Sequence, residues 1–187
     1  MLLRLGLGLG LASAAGIRTY FPLIVMGLLT RFSDTMTYIE PFRVFASAPV
    51  ILLLAALALF ERTVNFSQGN QYMLVVVLRA LGGAIVFAGT FTGFGIIGGI
   101  FFGAVIALFS HLVTVRLSPD TGKSTGESSA VSAAGIEDTI AIIGTLLAVL
   151  LPWSSYLLWA LILLFFVKRM KDNNHRYRMD IKAKSWR

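Results

Sequence analysis

The chain has 187 residues, of which 57% are hydrophobic and 13% charged, with a mean hydropathy of +0.81 and a formal net charge of +7. Soluble domains carry about 45–50% apolar and about 25% charged residues, so a globular fold of this size could not hide so much apolar surface, and lipid is the natural solvent. The absence of cysteine excludes disulfide frameworks, thiolate metal sites and cysteine nucleophiles.

The first apolar run covers 5–30, with Pro22 inside it. Arg4 and the small residues Ala12–Ala14 imitate a secretory signal, but the apolar character continues to Thr30, which predicts a retained span. A polar link, "RFSDTMTYIEPFR", leads to a second run, 44–60. Runs 72–91 and 95–115 predict a helical hairpin about the turn "TGFG". The hydrophilic loop "RLSPDTGKSTGESS" precedes a run at 134–151, and a short last run at 156–167 follows "PWSS". Trp153, Tyr156 and Trp159 are placed to anchor its outer end at the interface. None of these runs alternates as a barrel strand would, so the sequence predicts an all-α, polytopic transmembrane bundle of about six spans.

Orientation follows from lysine and arginine. With six crossings the inner segments hold Arg4, Arg62, Arg116 and Lys123, and the outer ones Arg31 and Arg43. Residues 168–187, "KRMKDNNHRYRMDIKAKSWR", hold eight of the sixteen basic residues. Both termini are therefore expected in the cytoplasm. The domain reading is one transmembrane domain, 1–167, and a basic cytoplasmic tail, 168–187. The tail directly follows an apolar helix, which favours anionic lipid over nucleic acid as its partner.

Gly95, Gly99 and Gly103 fall four residues apart on one predicted helix face, a spacing that lets another helix approach closely, within the subunit or in a homo-oligomer. "GLGLG" (Gly6–Gly10) is not a nucleotide loop, because no strand precedes it. His111 and His175 lie far apart in sequence, and no cofactor or metal motif is present.

Charged residues inside apolar runs carry the functional reading. Arg18, Glu61, Arg79, His111, Glu137 and Asp138 are the candidates for binding or permeation. A charge at the bilayer centre costs about 2.5–3.5 kcal/mol on insertion scales, so such residues pair or face water. Arg18 follows "SAAGI" (Ser13–Ile17), and Glu137 and Asp138 follow a second "SAAGI" (Ser132–Ile136). The two phrases suggest an internal repeat, each with a potential helix break at Gly16 or Gly135; the crossing count puts both on helices running the same way, so an inverted repeat needs one segment to be re-entrant. Arg18 is expected beside Glu137 or Asp138, with one acid as direct partner, the other turned away, and Glu61 as the rival. The plainer reading places the two acids in a helix first turn, with Ser132 as N-cap.

"AAGIRTYFP", "LFERTVN", "VLRALGGA", "SHLVTVR" and "SAAGIEDTIA" together resemble a bacterial membrane family catalogued as domain of unknown function 4126. The resemblance runs from about Leu5 to about Leu151 and implies a compact polytopic fold with no assigned substrate. In that pattern an acid is usual where this chain has Asn65, and proline often follows the arginine where it has Ala80.

Three function classes are open at this point. One is a transporter or channel for a small charged solute. A second is a structural or lipid-organising protein whose charges are internal salt bridges. The third is an intramembrane lipid-modifying enzyme, for which no catalytic motif is found.

Overall fold

A computed structural model of the chain describes residues 1–32, 38–63, 70–117, 127–164 and 167–168. Among the described residues there is no strand. In chain order they form α1 (Leu2–Ile17), α2 (Tyr20–Phe32), a 3-10 turn (Phe42–Ala46), α3 (Ala48–Thr63), α4 (Asn70–Thr90), α5 (Gly95–Leu117), α6 (Glu127–Leu150) and α7 (Ser154–Leu164). Two segments, Tyr72–Thr90 of α4 and Gly95–Val115 of α5, are long and apolar enough to cross a membrane. The apolar helices α1, α2, α3 and α7 are shorter. The basic tail lies almost wholly outside the described residues.

The first apolar run is broken in two rather than forming one span. Arg18 leaves the helix with φ −138° and ψ 113°. Pro22 explains the position of the break. In a continuous helix its ring would clash with the carbonyl of residue i−4, which is Arg18, and the bond to that carbonyl would be missing. Restarting the helix at Tyr20 moves Pro22 into a first turn, where the absent N–H has no helical partner to lose. The expected break at Gly16 does not occur. Gly16 stays helical, and its lack of a side chain lets α1 approach the Ala107 carbonyl of α5.

Packing fixes the direction of each helix. The hydrogen side of Gly6 faces Pro152, that of Gly10 faces Ala148 and Ser155, and Arg18 reaches Asp138, so α1 and α6 are antiparallel neighbours. The two "SAAGI" phrases therefore run in opposite directions, not the same one. Gly8 meets Phe87 and Thr90 near the end of α4, while Gly16 meets Ala107 and Ser110 well along α5. The chain then turns. Thr19 lies against Gly82, Gly27 against Phe45 and Ile51, and the Ile39 N–H donates to the Gly89 carbonyl at 2.8 Å. From Gly82 to Gly89 is two turns back towards the α4–α5 turn. Helices α1 and α2 thus enter and leave at the same end, a re-entrant hairpin whose tip is Arg18–Thr19.

The remaining helices alternate in direction, so Met1 and Leu164 lie at opposite ends. The run 5–30, expected as one crossing, is therefore a hairpin, and the C-terminus itself lies outside the described residues. The Tyr156 hydroxyl donates to the Leu2 carbonyl at 2.7 Å, and Trp159 Nε1 donates to Ser13 Oγ at 2.6 Å. Tyr156 and Trp159 thereby fasten α7 to α1.

Helix α1 is the centre of the bundle and packs on α4, α5 and α6. Gly99 lies against Ala88, and Gly103 against Gly83, Ala84 and Phe87, all on α4. Gly95 does not share this packing. It closes the turn at φ +69°, a conformation that favours glycine, and a side chain there would meet nothing within 4 Å. Outward faces are apolar: Ile97 is 85% and Leu157 70% exposed, whereas Arg79 is 7% and His111 3% exposed. That distribution is the reverse of a soluble domain's.

Candidate functional site

The re-entrant tip delivers Arg18 into the bundle interior, where helices α3, α4, α5 and α6 each bring an ionisable side chain to meet it. Arg18 Nε lies 2.7 Å from Asp138 Oδ1, Arg18 Nη2 3.8 Å from Glu137 Oε2, and Arg18 Nη1 3.8 Å from Glu61 Oε1. Arg79 Nη2 is 4.0 Å from both Glu61 Oε1 and Glu137 Oε2. Arg79 Nη1 donates to His111 Nδ1 at 2.5 Å, and His111 Nε2 is 3.2 Å from the Tyr72 hydroxyl. All six sequence candidates thus belong to one connected network.

Two details differ from expectation. Helix α6 begins at Glu127, so Glu137 and Asp138 lie about three turns inside it and the first-turn dipole cannot account for them. Ser132, expected as an N-cap, falls within the same helix. Asp138 is the one direct partner of Arg18, at 2.7 Å, while Glu137 is not turned away but lies within ion-pair range at 3.8 Å.

Hydrogen-bond chemistry fixes the state of His111. A guanidinium only donates, so Nδ1 must accept. A neutral imidazole then carries its proton on Nε2 and donates it to Tyr72. Both ring nitrogens are occupied. Tyr72 was not among the sequence candidates, yet it stands seven residues before Arg79, two helical turns along the same face.

Among the described residues Glu61 and Glu137 alike have no close ion partner, each standing 3.8 Å from Arg18 and 4.0 Å from Arg79, but Glu61 is the one that lines a cavity. Its side chain is 11% exposed, and both of its ion contacts run through Oε1 at 3.8 and 4.0 Å. These distances are too long for hydrogen bonds, although buried carboxylates normally accept several. Arg79 Nε is also buried without a hydrogen-bond partner among the described residues.

A cavity of about 540 Å³ adjoins the network between α2, α3 and α6, with Arg18, Glu61 and Asp138 on its polar side and Phe21, Ala55 and Ile142 among its apolar walls. A second cavity of about 240 Å³ lies between the start of α2, α3 and α4, walled by Leu57, Phe60 and Val75 among others. Tyr20 and Glu61 line both. Helix α3 leaves this space because it packs mainly on α2 and the 3-10 turn. Among the described residues no three His, Cys, Asp or Glu side chains are grouped to hold a metal ion.

The family model described as Domain of unknown function (DUF4126) matches residues 5–171, a stretch that contains the whole network and both cavities. The chain belongs to that family. No curated protein and no solved structure matches it. Ala80, where the resemblance leads to an expectation of proline, continues α4 without interruption, and Asn65 lies outside the described residues.

Proposed function

We propose that this protein is a multi-pass membrane protein that carries a small charged solute across the bilayer, by way of the ionic network at the tip of the α1–α2 hairpin. One observation carries the reading: five chain segments converge six ionisable side chains beside a cavity of about 540 Å³, while the outward faces are apolar. Polar side chains at membrane depth cluster along solute pathways, and helices broken at mid-depth are a common way to build them. In this reading α3 to α7 cross the bilayer and α1–α2 dips in and returns. The end where α3, α5 and α7 finish adjoins Arg62, Arg116, Lys123 and the basic tail in sequence, so that end faces the cytoplasm. Residues 168–187 then lie against anionic lipid.

The structural alternative draws support from the close Arg18–Asp138 contact, which resembles a closed internal pair. The enzyme alternative loses its best candidate base, because both nitrogens of His111 are engaged. Flux separates the first two readings. Purified protein in liposomes is assayed against a panel of small inorganic and organic cations and anions. Transport of at least one solute, reduced in a folded Glu137→Gln variant, is the expected result. No flux for any solute, with Glu137→Gln changing stability alone, would assign the network to structure.

A further inference from the structure

We propose that Glu61 is the ligand-binding acid of an organic-cation site, taking an ammonium group attached to an apolar, preferably aromatic, body. The proposal deepens the transport reading and rests on it for calling the ligand a solute.

Three observations carry it. First, Glu61 is a largely buried carboxylate whose nearest cations among the described residues are 3.8 and 4.0 Å away, so no close donor there uses its acceptor capacity. An ammonium N–H fills that role with a charge-assisted bond. Second, Glu61 lines both cavities, and so does Tyr20. A ligand held at Glu61 has apolar walls on either side, because the acid borders both cavities. The larger volume, about 540 Å³, falls within the 300–1,000 Å³ range of sites for organic ligands. Third, the walls near the acid are aromatic and aliphatic. Phe21 and Tyr20 line the larger cavity, and Phe60 and Tyr20 the smaller. Aromatic faces attract ammonium groups, and aliphatic walls accept an apolar body. A bare metal ion is matched less well: Asp138 on the same wall is taken by Arg18, and no three His, Cys, Asp or Glu are grouped among the described residues.

The probe is phenethylammonium, with uncharged 2-phenylethanol as control. Binding to the full-length protein in detergent or nanodiscs is measured by calorimetry. Saturable binding of the ammonium and not the alcohol is expected. Glu61→Gln should weaken it by about tenfold or more, since a charge-assisted bond is replaced by a neutral one. Ala55→Phe, which fills the larger cavity and leaves every charge in place, should weaken it too, and it serves as the test if Glu61→Gln does not fold. Equal binding of the alcohol, unchanged affinity in both folded variants, or no saturable binding overturns the proposal. The two readings fail separately. Binding that depends on Glu61 without flux of any solute keeps the site and removes transport. Flux of other solutes with no phenethylammonium binding keeps transport and removes the site.

Discussion

Replacing Arg18 with Met tests whether the network is built around that one cation. Arg18 faces three carboxylates: Asp138 at 2.7 Å, Glu137 at 3.8 Å and Glu61 at 3.8 Å. Its own side chain is 15% exposed and the acids are 11–29% exposed. Breaking a buried pair by removing one partner costs about 3–5 kcal/mol, and the partial exposure of these groups brings the expectation to about 2–3 kcal/mol. Removing any single acid leaves Arg18 with two others, so Asp138→Asn, Glu137→Gln and Glu61→Gln should each cost less, about 1 kcal/mol. Combining Arg18→Met with Asp138→Asn should recover part of the loss, with a coupling of about 0.5–3 kcal/mol. The geometry also chooses the charge exchange. Asp138 is the close partner, so Arg18→Asp with Asp138→Arg should be tolerated better than Arg18→Glu with Glu137→Arg, which keeps the new acid beside Asp138. Reversible denaturation in detergent gives the free energies. An Arg18→Met no worse than the acid variants, together with zero coupling to Asp138, would refute a network centred on Arg18.

Gly103→Ala places a methyl group 2.7 Å from Phe87 Cβ and 2.9 Å from Ala84 Cα, whereas a methyl at Gly135 meets nothing within 4 Å. The first should destabilise by about 1–3 kcal/mol and the second stabilise by up to about 1 kcal/mol, read as thermal midpoints of opposite sign. Tyr72→Phe removes one 3.2 Å hydrogen bond and should cost about 0.5 kcal/mol; His111→Leu also strips the acceptor from Arg79 Nη1 and should cost about 1–3 kcal/mol, so denaturation should separate the two. Reporter fusions at Met1 and Arg187 should report opposite sides of the membrane, with Arg187 cytoplasmic; equal activity at both would restore a complete first crossing.

The ionisable residues were legible because a charge in an apolar run has so few ways to be stable. That argument needs no knowledge of the fold, and it drew attention to residues from five segments that share one network. The α4–α5 hairpin was legible to within two residues at each end, since long apolar runs and a glycine turn leave little choice. Other features were hidden for identifiable reasons. Gly95 has the spacing of a packing residue, but spacing cannot distinguish a helical glycine from one held at φ +69°. Tyr72 gives no charge signal, and only its register with Arg79 marks it. The start of α6 at Glu127 was hidden because its first residues, Glu127, Ser128 and Ser129, are polar and continue the hydrophilic stretch before them. The first apolar run was the hardest to read: counting apolar runs cannot tell one long helix from a hairpin that returns, and run 5–30 is the hairpin.

The two "SAAGI" phrases show how far local text determines structure. Nine residues after Ser13 stands Pro22; nine residues after Ser132 stands Ala141. The first phrase therefore leads into a break at Arg18, and the second continues inside α6. Backbone that leaves the helix at membrane depth is tolerated where it is buried in protein or lines a cavity, and Arg18 meets both conditions. The break turns the chain back, so α2 rises beside α3 and leaves the space between α3 and α6 unfilled. It also frees Arg18 from the helical register, which would otherwise point its side chain along one face of α1. Extended backbone at that single position lets the guanidinium lie between the end of α3 and the body of α6 and meet Glu61, Glu137 and Asp138 together. Proline, break, cavity and ionic network are then consequences of one another: a continuous first helix would remove the cavity and leave Arg18 to find its acids from a helical face.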